Sequence, residues 1–237
     1  MTEPIKKMGS THENLDQKAY LIIKEMINDR RLAPGEKISQ EKLAVELGIS
    51  RTPLISALKY LEKENLVEAK PRRGFFVRAF DYNEMVCIFE LREVLEGLAA
   101  RRAAIMVTDR QISQLRKFFS EFTGQGPINN YRDYCREDRR FHNYVTKVAA
   151  REFLEGILST YNIISFSYQR VASEGLVRAP DETLGEHLAI IDAICNRDPE
   201  ASETMMRRHF QRSIAYLNQG IERGADGPRL VNFKNDR

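Results

Sequence analysis

Leu47-Gly48-Ile49-Ser50-Arg51-Thr52-Pro53 is the stretch on which the fold turns. A glycine ends a helix well because it takes the left-handed conformation freely, so Gly48 predicts the stop of one helix. Ser50 can cap the next, and Pro53 is tolerated in its first turn, where backbone amides have no partner inside the helix. Working upstream, Ser39 announces a short helix with Leu43, Ala44 and Leu47 on one face. Before it, Ala19, Ile22, Ile23, Met26 and Ile27 recur at helical spacing and predict a helix from Asp16 to Arg31, ended by Pro34-Gly35. Downstream, Leu54, Ala57, Leu58 and Leu61 form an inward stripe, and then the period changes. Leu66-Val67-Glu68-Ala69 and Phe75-Phe76-Val77 read as strands around Lys70-Pro71-Arg72-Arg73-Gly74, a turn whose glycine permits positive φ. This order, three helices and a hairpin with a basic tip, predicts a winged helix-turn-helix over residues 15–79, preceded by a loose tail over 1–14.

The whole chain has 237 residues, 42% hydrophobic and 30% charged, which excludes a wholly disordered protein and favours two modest domains. No run approaches the roughly 18 apolar residues of a membrane-spanning helix, and charges scattered through the first thirty residues argue against a secretory signal, so the cytoplasm is expected. Three widely spaced cysteines, Cys87, Cys135 and Cys195, offer neither a disulfide framework nor a metal clip and read as buried small hydrophobes. The net charge of +3 is uneven: residues 1–79 hold 15 basic and 11 acidic side chains, and residues 80–237 hold 22 and 23. The positive excess therefore lies in the winged unit, where a polyanionic partner is expected.

After the junction Phe80-Asp81-Tyr82-Asn83, periodicity predicts an all-α bundle of six or seven helices over 83–222 and a tail over 223–237. The expected helices run 83–107, 108–123 (capped by Thr108), 128–149, 151–172, 181–197 and 198–222. The expected fold is thus mainly α, with a β-hairpin wing in its first domain.

Two constellations carry chemistry. Ser50, Arg51 and Thr52 fill the first turn of a helix, the end that approaches base edges and phosphates in a major groove. Arg72 and Arg73 on the hairpin tip can reach neighbouring phosphates or the minor groove, and Lys59 and Lys63 lie further along the helix as backbone contacts or solvated charges. In the helical domain, Asp138 and His142 are four apart and share an inward face with Phe141, Val145 and Val148. His187 lies with Leu184, Leu188, Ile191 and Ile194, and His209 with Met205, Met206 and Tyr216. A single inward histidine is more often a satisfied core residue than a ligand. An Asp and three His from three helices can nevertheless enclose Zn, Ni, Mn, Co or Fe. Arg92, on the inward stripe with Ile88, Leu95 and Ala99, must be paired. Its partner is either Glu96 one turn on or the carboxylate of a bound effector. Asn162, Ser165 and Arg170 sit where they can line the same pocket, or pack or face solvent.

Leu32-Ala33-Pro34-Gly35-Glu36-Lys37-Ile38-Ser39, Leu43-Ala44, Leu47 through Pro53, Ala57-Leu58 with Leu61, and Gly74-Phe75-Phe76-Val77 together resemble the DNA-binding domain of GntR-family bacterial transcriptional regulators. The resemblance implies DNA contacts at Ser50, Arg51, Thr52 and Gly74. One departure is Leu54-Ile55-Ser56, where the family usually has a hydrophobic residue, Arg and Glu. Ile55 cannot donate to a guanine or a phosphate, so a different operator or weaker binding is expected. Leu91-Arg92 with Leu95-Glu96, Asp138-Arg139-Arg140-Phe141-His142, Glu186-His187 with Ile190 and Ala193-Ile194, and Asp198, Ala201, Met205 and His209 resemble the ligand-binding domain of the FadR subfamily, the FCD type. That resemblance implies a metal on Asp138, His142, His187 and His209 and a small organic acid as effector, with Arg92, Asn162 and Arg170 as effector-binding candidates. Ala150-Arg151 replaces the subfamily's Gly-Asn after the DxxxH helix. The expectation is a homodimeric repressor on a palindromic operator, not an enzyme. The alternatives are a metal-dependent hydrolase, for which Glu186 projects off the inward stripe and supplies no base, and a regulator with a purely structural metal.

Overall fold

The computed structural model describes residues 14–124, 126–149 and 177–222. The chain divides into two compact units, Met1–Arg78 and Ala79–Arg237.

In the first unit, α1 (Leu15–Asn28) packs on α3 (Arg51–Lys63), with α2 (Gln40–Leu47) between them in the chain. Ala19, Ile23, Met26 and Ile27 are buried, as are Leu54, Ala57, Leu58 and Leu61. Ile22, placed on that stripe by spacing, is 43% exposed. Helix α1 ends earlier than its apolar pattern suggests. Arg30 is left-handed (φ 60°), and the Leu32 amide donates back to Met26 O at 3.1 Å, which closes the helix before Pro34-Gly35 is reached. Gly48 is left-handed (φ 64°) and turns the chain into α3. Ser39 and Ser50 occupy cap positions with extended backbones, but neither hydroxyl bonds a helix amide. Strands β1 (Val67–Lys70) and β2 (Gly74–Val77) are antiparallel, with Val67 opposite Val77 and Lys70 opposite Gly74. Their turn uses two positive-φ residues, Arg72 (62°) and Gly74 (93°).

In the second unit, α4 (Tyr82–Met106) begins with a capping box between Asp81 and Glu84 and runs along α8 (Pro199–Glu222) and α6 (Tyr131–Ala149). Helix α7 (Pro180–Cys195) starts with proline in its first turn and lies against α8 and α4. Thr108 caps α5 as expected and forms a capping box with Gln111, but that helix spans only Asp109–Leu115, followed by turns and a short 3-10 segment at Ser120–Phe122. Leaving the helix there buries both Phe118 and Phe119, the latter with φ 61°. Cys135 and Cys195 are buried, whereas Cys87 is exposed because it falls on the outer side of α4. The expected helix at 151–172 and both expected tails, apart from Asn14, lie outside the described residues. Among the described residues, no helix is long and apolar enough to cross a membrane.

Candidate metal centre and nucleic-acid interface

Helix α3 presents Ser50, Arg51 and Thr52 to solvent at its N-terminal end, with Lys59 and Lys63 exposed further along. Among the described residues, Arg51 makes an exposed contact with Glu41 at 3.9 Å. The uncapped first turn keeps its amides available to an anion. Ile55 is half-buried. On the hairpin, Arg72 and Arg73 are exposed and Gly74 is half-buried, while Phe76 carries Lys70 and Arg73 over its ring at 4.8 and 5.5 Å. A Cβ on Gly74 would meet only ordinary contacts, so its positive φ, not space, demands glycine.

Replacing Arg51 by alanine is expected to weaken operator binding by about 1–3 kcal/mol and to relax preference at one base position. Lys59→Ala should instead lower the salt slope by about one and spare sequence preference. Gel-shift titrations at two salt concentrations, on an operator and its single-base variants, separate the two effects.

In the helical unit, α6, α7 and α8 bring His142, His187 and His209 together. One nitrogen from each lies within 4.8 Å of the others, and all three residues are buried. Which nitrogen faces inward follows from what holds the opposite one. His142 Nδ1 lies 2.5 Å from Glu96 Oε2, and His209 Nδ1 lies 2.7 Å from Glu186 Oε2. Burial would push the Glu96 carboxyl up, but Arg92 and His142 outweigh it and hold it down at about 2. Glu186 is likewise held well below the carboxylate range, burial being outweighed by hydrogen bonds from His209, Arg178 and Arg212. Ionised carboxylates only accept, so both Nδ1 atoms carry the proton. His187 Nδ1 lies 3.1 Å from Tyr134 Oη, which in turn lies 2.9 Å from Thr183 Oγ1. Thr183 donates to backbone carbonyls, so Tyr134 donates to Thr183 and accepts from His187.

Each imidazole thus has a bare Nε2 lone pair. His142 Nε2 and His187 Nε2 are buried without a hydrogen bond among the described residues. Asp138 Oδ1 lies 3.0 Å from His187 Nε2. Three nitrogen lone pairs gathered from three helices suit a divalent cation, and the Asp138 carboxylate lies beside one of them.

Phe119 fixes one ligand further. Its ring stacks on His187 with centroids 4.7 Å apart and planes 4° from parallel. Phe119→Ala should weaken metal binding about 10-fold by freeing that ring. Phe119→Gly should weaken it equally yet be about 1 kcal/mol more stable than the alanine variant, because glycine relieves the left-handed φ. Equal stability of the two variants would contradict this account.

Of the four candidate ligands expected from the sequence, His142, His187 and His209 come together, Asp138 lies beside His187, and the groups that support them carry no signal in the spacing. Glu186, expected off the inward stripe, is only half-exposed and holds His209, Arg178 and Arg212. Arg178 is buried and grips Glu186 with both terminal nitrogens, at 2.9 and 2.6 Å. Tyr134 and Phe119 were equally unforeseen, and nothing in the sequence pairs them with a histidine 53 or 68 positions later. Met205 and Tyr216, read as inward with His209, are 39% and 48% exposed, because the buried line is Met206, His209, Phe210, Ser213 and Leu217. Of Arg92's two expected partners, Glu96 is in place at 2.6 Å. Asn162, Ser165, Arg170 and Ala150-Arg151 lie outside the described residues.

Burial also holds His187 and His209 below the ordinary histidine value, His209 down at about 3. Groups whose folded pKa is depressed contribute stability that is present above the unfolded value and lost as pH falls. The metal-free domain should therefore lose stability below about pH 6.5 as unfolded histidines take up protons, and again below about 4.5 through Glu96 and Glu186. Each proton contributes a slope of about 1.4 kcal/mol per pH unit. Urea unfolding between pH 7.5 and 5 reads the first step, and a flat profile would contradict it.

The FCD domain family matches residues 87–212, more than half of the chain, and the family "Bacterial regulatory proteins, gntR family" matches residues 15–77. The chain belongs to the GntR family of bacterial regulatory proteins. It is a GntR transcriptional regulator with an FCD domain, and its relatives are regulators rather than enzymes. The HTH-type transcriptional repressor RspR of Escherichia coli K12 is 27% identical over 90% of this chain and 92% of its own length. The Nta operon transcriptional regulator of Aminobacter aminovorans is 29% identical over 83% and 95%. Among solved structures, E. coli McbR/YncC superposes with a TM-score of 0.70 at 19% identity, covering 90% of this chain and all of that one, which shows a shared fold.

Proposed function

We propose that this GntR regulator is a repressor that grips a palindromic operator as a homodimer. Its FCD domain holds a divalent transition metal on Asp138, His142, His187 and His209, and a small organic acid adds to the ion and changes operator binding. The observation that carries the metal is the convergence of three buried imidazoles whose outer nitrogens are each already occupied. The ion would supply Lewis acidity toward a carboxylate. The protein's own groups orient the ligands: Glu96, Glu186 and Tyr134 hold the Nδ1 protons, and Phe119 sets one ring plane. Asp138, His142, His187 and His209 would hold the ion, and an ion so held would still be able to take a carboxylate from the acid. Arg92, with Asn162 and Arg170, remains the candidate for binding it. The repressor reading draws on RspR and on the probable D-xylose utilization operon transcriptional repressor of Paenarthrobacter nicotinovorans, 25% identical over 81% of this chain.

The test is selection of genomic fragments by the purified protein, repeated after chelation, after reloading with Zn, Ni, Mn, Co or Fe, and with a panel of small carboxylates. Recovery of a short palindrome whose retention changes with one acid only in the metal-loaded protein is expected. A second reading, a purely structural metal, has in its favour the full burial of His187. Thermal stabilisation by metal with no further shift from any carboxylate would select it.

A further inference from the structure

One side chain on the open side of α3 is out of character with its neighbours. Arg51, Ile55 and Lys59 succeed one another at intervals of four, the spacing that sets side chains in one row along a helix, and Thr52 stands beside them one turn before Ile55. Arg51, Thr52 and Lys59 are exposed, whereas Leu54, Ala57, Leu58 and Leu61 form the buried line of the same helix. Ile55 is half-buried, so part of an aliphatic surface lies open between two cations.

The surroundings of that surface fix what it meets. The uncapped first-turn amides, Arg51 and Lys59 all favour an anion, and a helix that enters a major groove by its N-terminal end carries its first turns past phosphates and base edges. Ile55 is about 6 Å along the axis from Arg51 and about 6 Å from Lys59. A row whose two outer members engage DNA brings the member between them to the groove as well.

An aliphatic side chain discriminates there by exclusion. The base edges of a major groove offer hydrogen-bond donors, acceptors and one apolar group, the C5 methyl of thymine. Against guanine N7 and O6, or against the cytosine amino group, Ile55 would displace water without replacing the hydrogen bonds that the water made. Against thymine it removes apolar surface from water on both partners.

We propose that Ile55 is a specificity-determining residue that reads the C5 methyl of a thymine in the operator. Arg51 and Ile55 then read different positions by different means, the first by hydrogen bonds and the second by apolar contact. The proposal deepens the reading of a sequence-specific operator binder and rests on it.

The full chain is used to select binders from random duplex DNA. The recovered sequence should contain a position, distinct from the one relaxed by Arg51→Ala, at which thymine is preferred. Uracil pairs as thymine does and lacks only the methyl, so replacing that thymine by uracil should weaken binding about 3- to 10-fold, as loss of one buried methyl does. Cytosine at the same position should bind poorly, and 5-methylcytosine should restore much of the loss because the methyl returns to the same place. Ile55→Ala should bind the thymine and uracil duplexes nearly equally. That ratio is taken within one protein, so any loss of folded protein in the variant cancels. Ile55→Arg should move the preference at that position from thymine to guanine. A recovered sequence in which no thymine is sensitive to uracil would overturn the proposal and leave sequence-specific binding standing. A thymine-to-uracil ratio in Ile55→Ala as large as in the wild type would give the methyl to another residue and overturn it too. Recovery of no shared sequence would overturn both readings.

Discussion

Alanine at His187 is expected to abolish metal stabilisation of the helical domain. In the wild type, metal at about 1,000 times its dissociation constant should stabilise the folded state by about 4 kcal/mol, because the unfolded chain holds no assembled site. For a domain of this size that is a rise in Tm of about 8–16 °C. The His187 imidazole is fully buried, its ring plane is set by Phe119 and its tautomer by Tyr134, so no nearby side chain can substitute for it. Its loss should weaken binding by about 1,000-fold or more, beyond the roughly 10- to 100-fold that follows loss of a supporting partner, so that under about 0.5 kcal/mol of stabilisation remains at the same metal concentration. Each protein is compared with itself, metal-free against metal-loaded, in a thermal melt. This removes the separate cost of the cavity left beside Phe119. A His187→Ala variant that still melts several degrees higher with metal would mean that the ion sits elsewhere or that the three imidazoles are only core residues.

How much of this was legible beforehand depended on whether the deciding contact is local. Gly48 and the turn it closes, the Thr108 cap and the hairpin around Gly74 are set by residues within four positions of each other, and each stands where the sequence puts it. Asp138 and His142 were legible for the same reason, being one helical turn apart. Helix α5 was overextended because its early end is decided by Phe119 meeting His187 across the bundle, an interaction with no local signature. Helical phase alone puts Glu186 off the inward stripe. Yet a half-buried carboxylate beside the stripe can reach sideways to a histidine on the next helix, and Arg178 in a break before α7 keeps it charged there. Met205 and Tyr216 show the converse error: both have suitable apolar character, but they lie about one residue out of phase with the line from Met206 to Leu217.

Removal of the Glu96 carboxylate should produce the largest loss of stability among single changes in the domain. Glu96 is buried and held by two partners, Arg92 Nε at 2.6 Å and His142 Nδ1 at 2.5 Å. Glu96→Ala leaves the Arg92 guanidinium buried without its counter-charge, which costs about 3–5 kcal/mol. It also frees the tautomer and orientation of His142, which should weaken metal binding by about 10- to 100-fold. The two consequences come apart in the double variant Arg92→Met/Glu96→Leu. With both charges gone and volume kept, most of the lost stability should return, since a buried ion pair replaced by apolar side chains is often neutral or better. Metal affinity should stay low, because nothing then anchors His142 Nδ1. Urea unfolding of the metal-free proteins reads the first quantity and a metal titration reads the second. Recovery of both in the double variant would show that Glu96 acts only through stability and that His142 needs no anchor. Recovery of stability alone would establish why a buried charge pair is kept beside a cluster of histidines: its carboxylate holds a proton on one nitrogen so that the other faces inward bare.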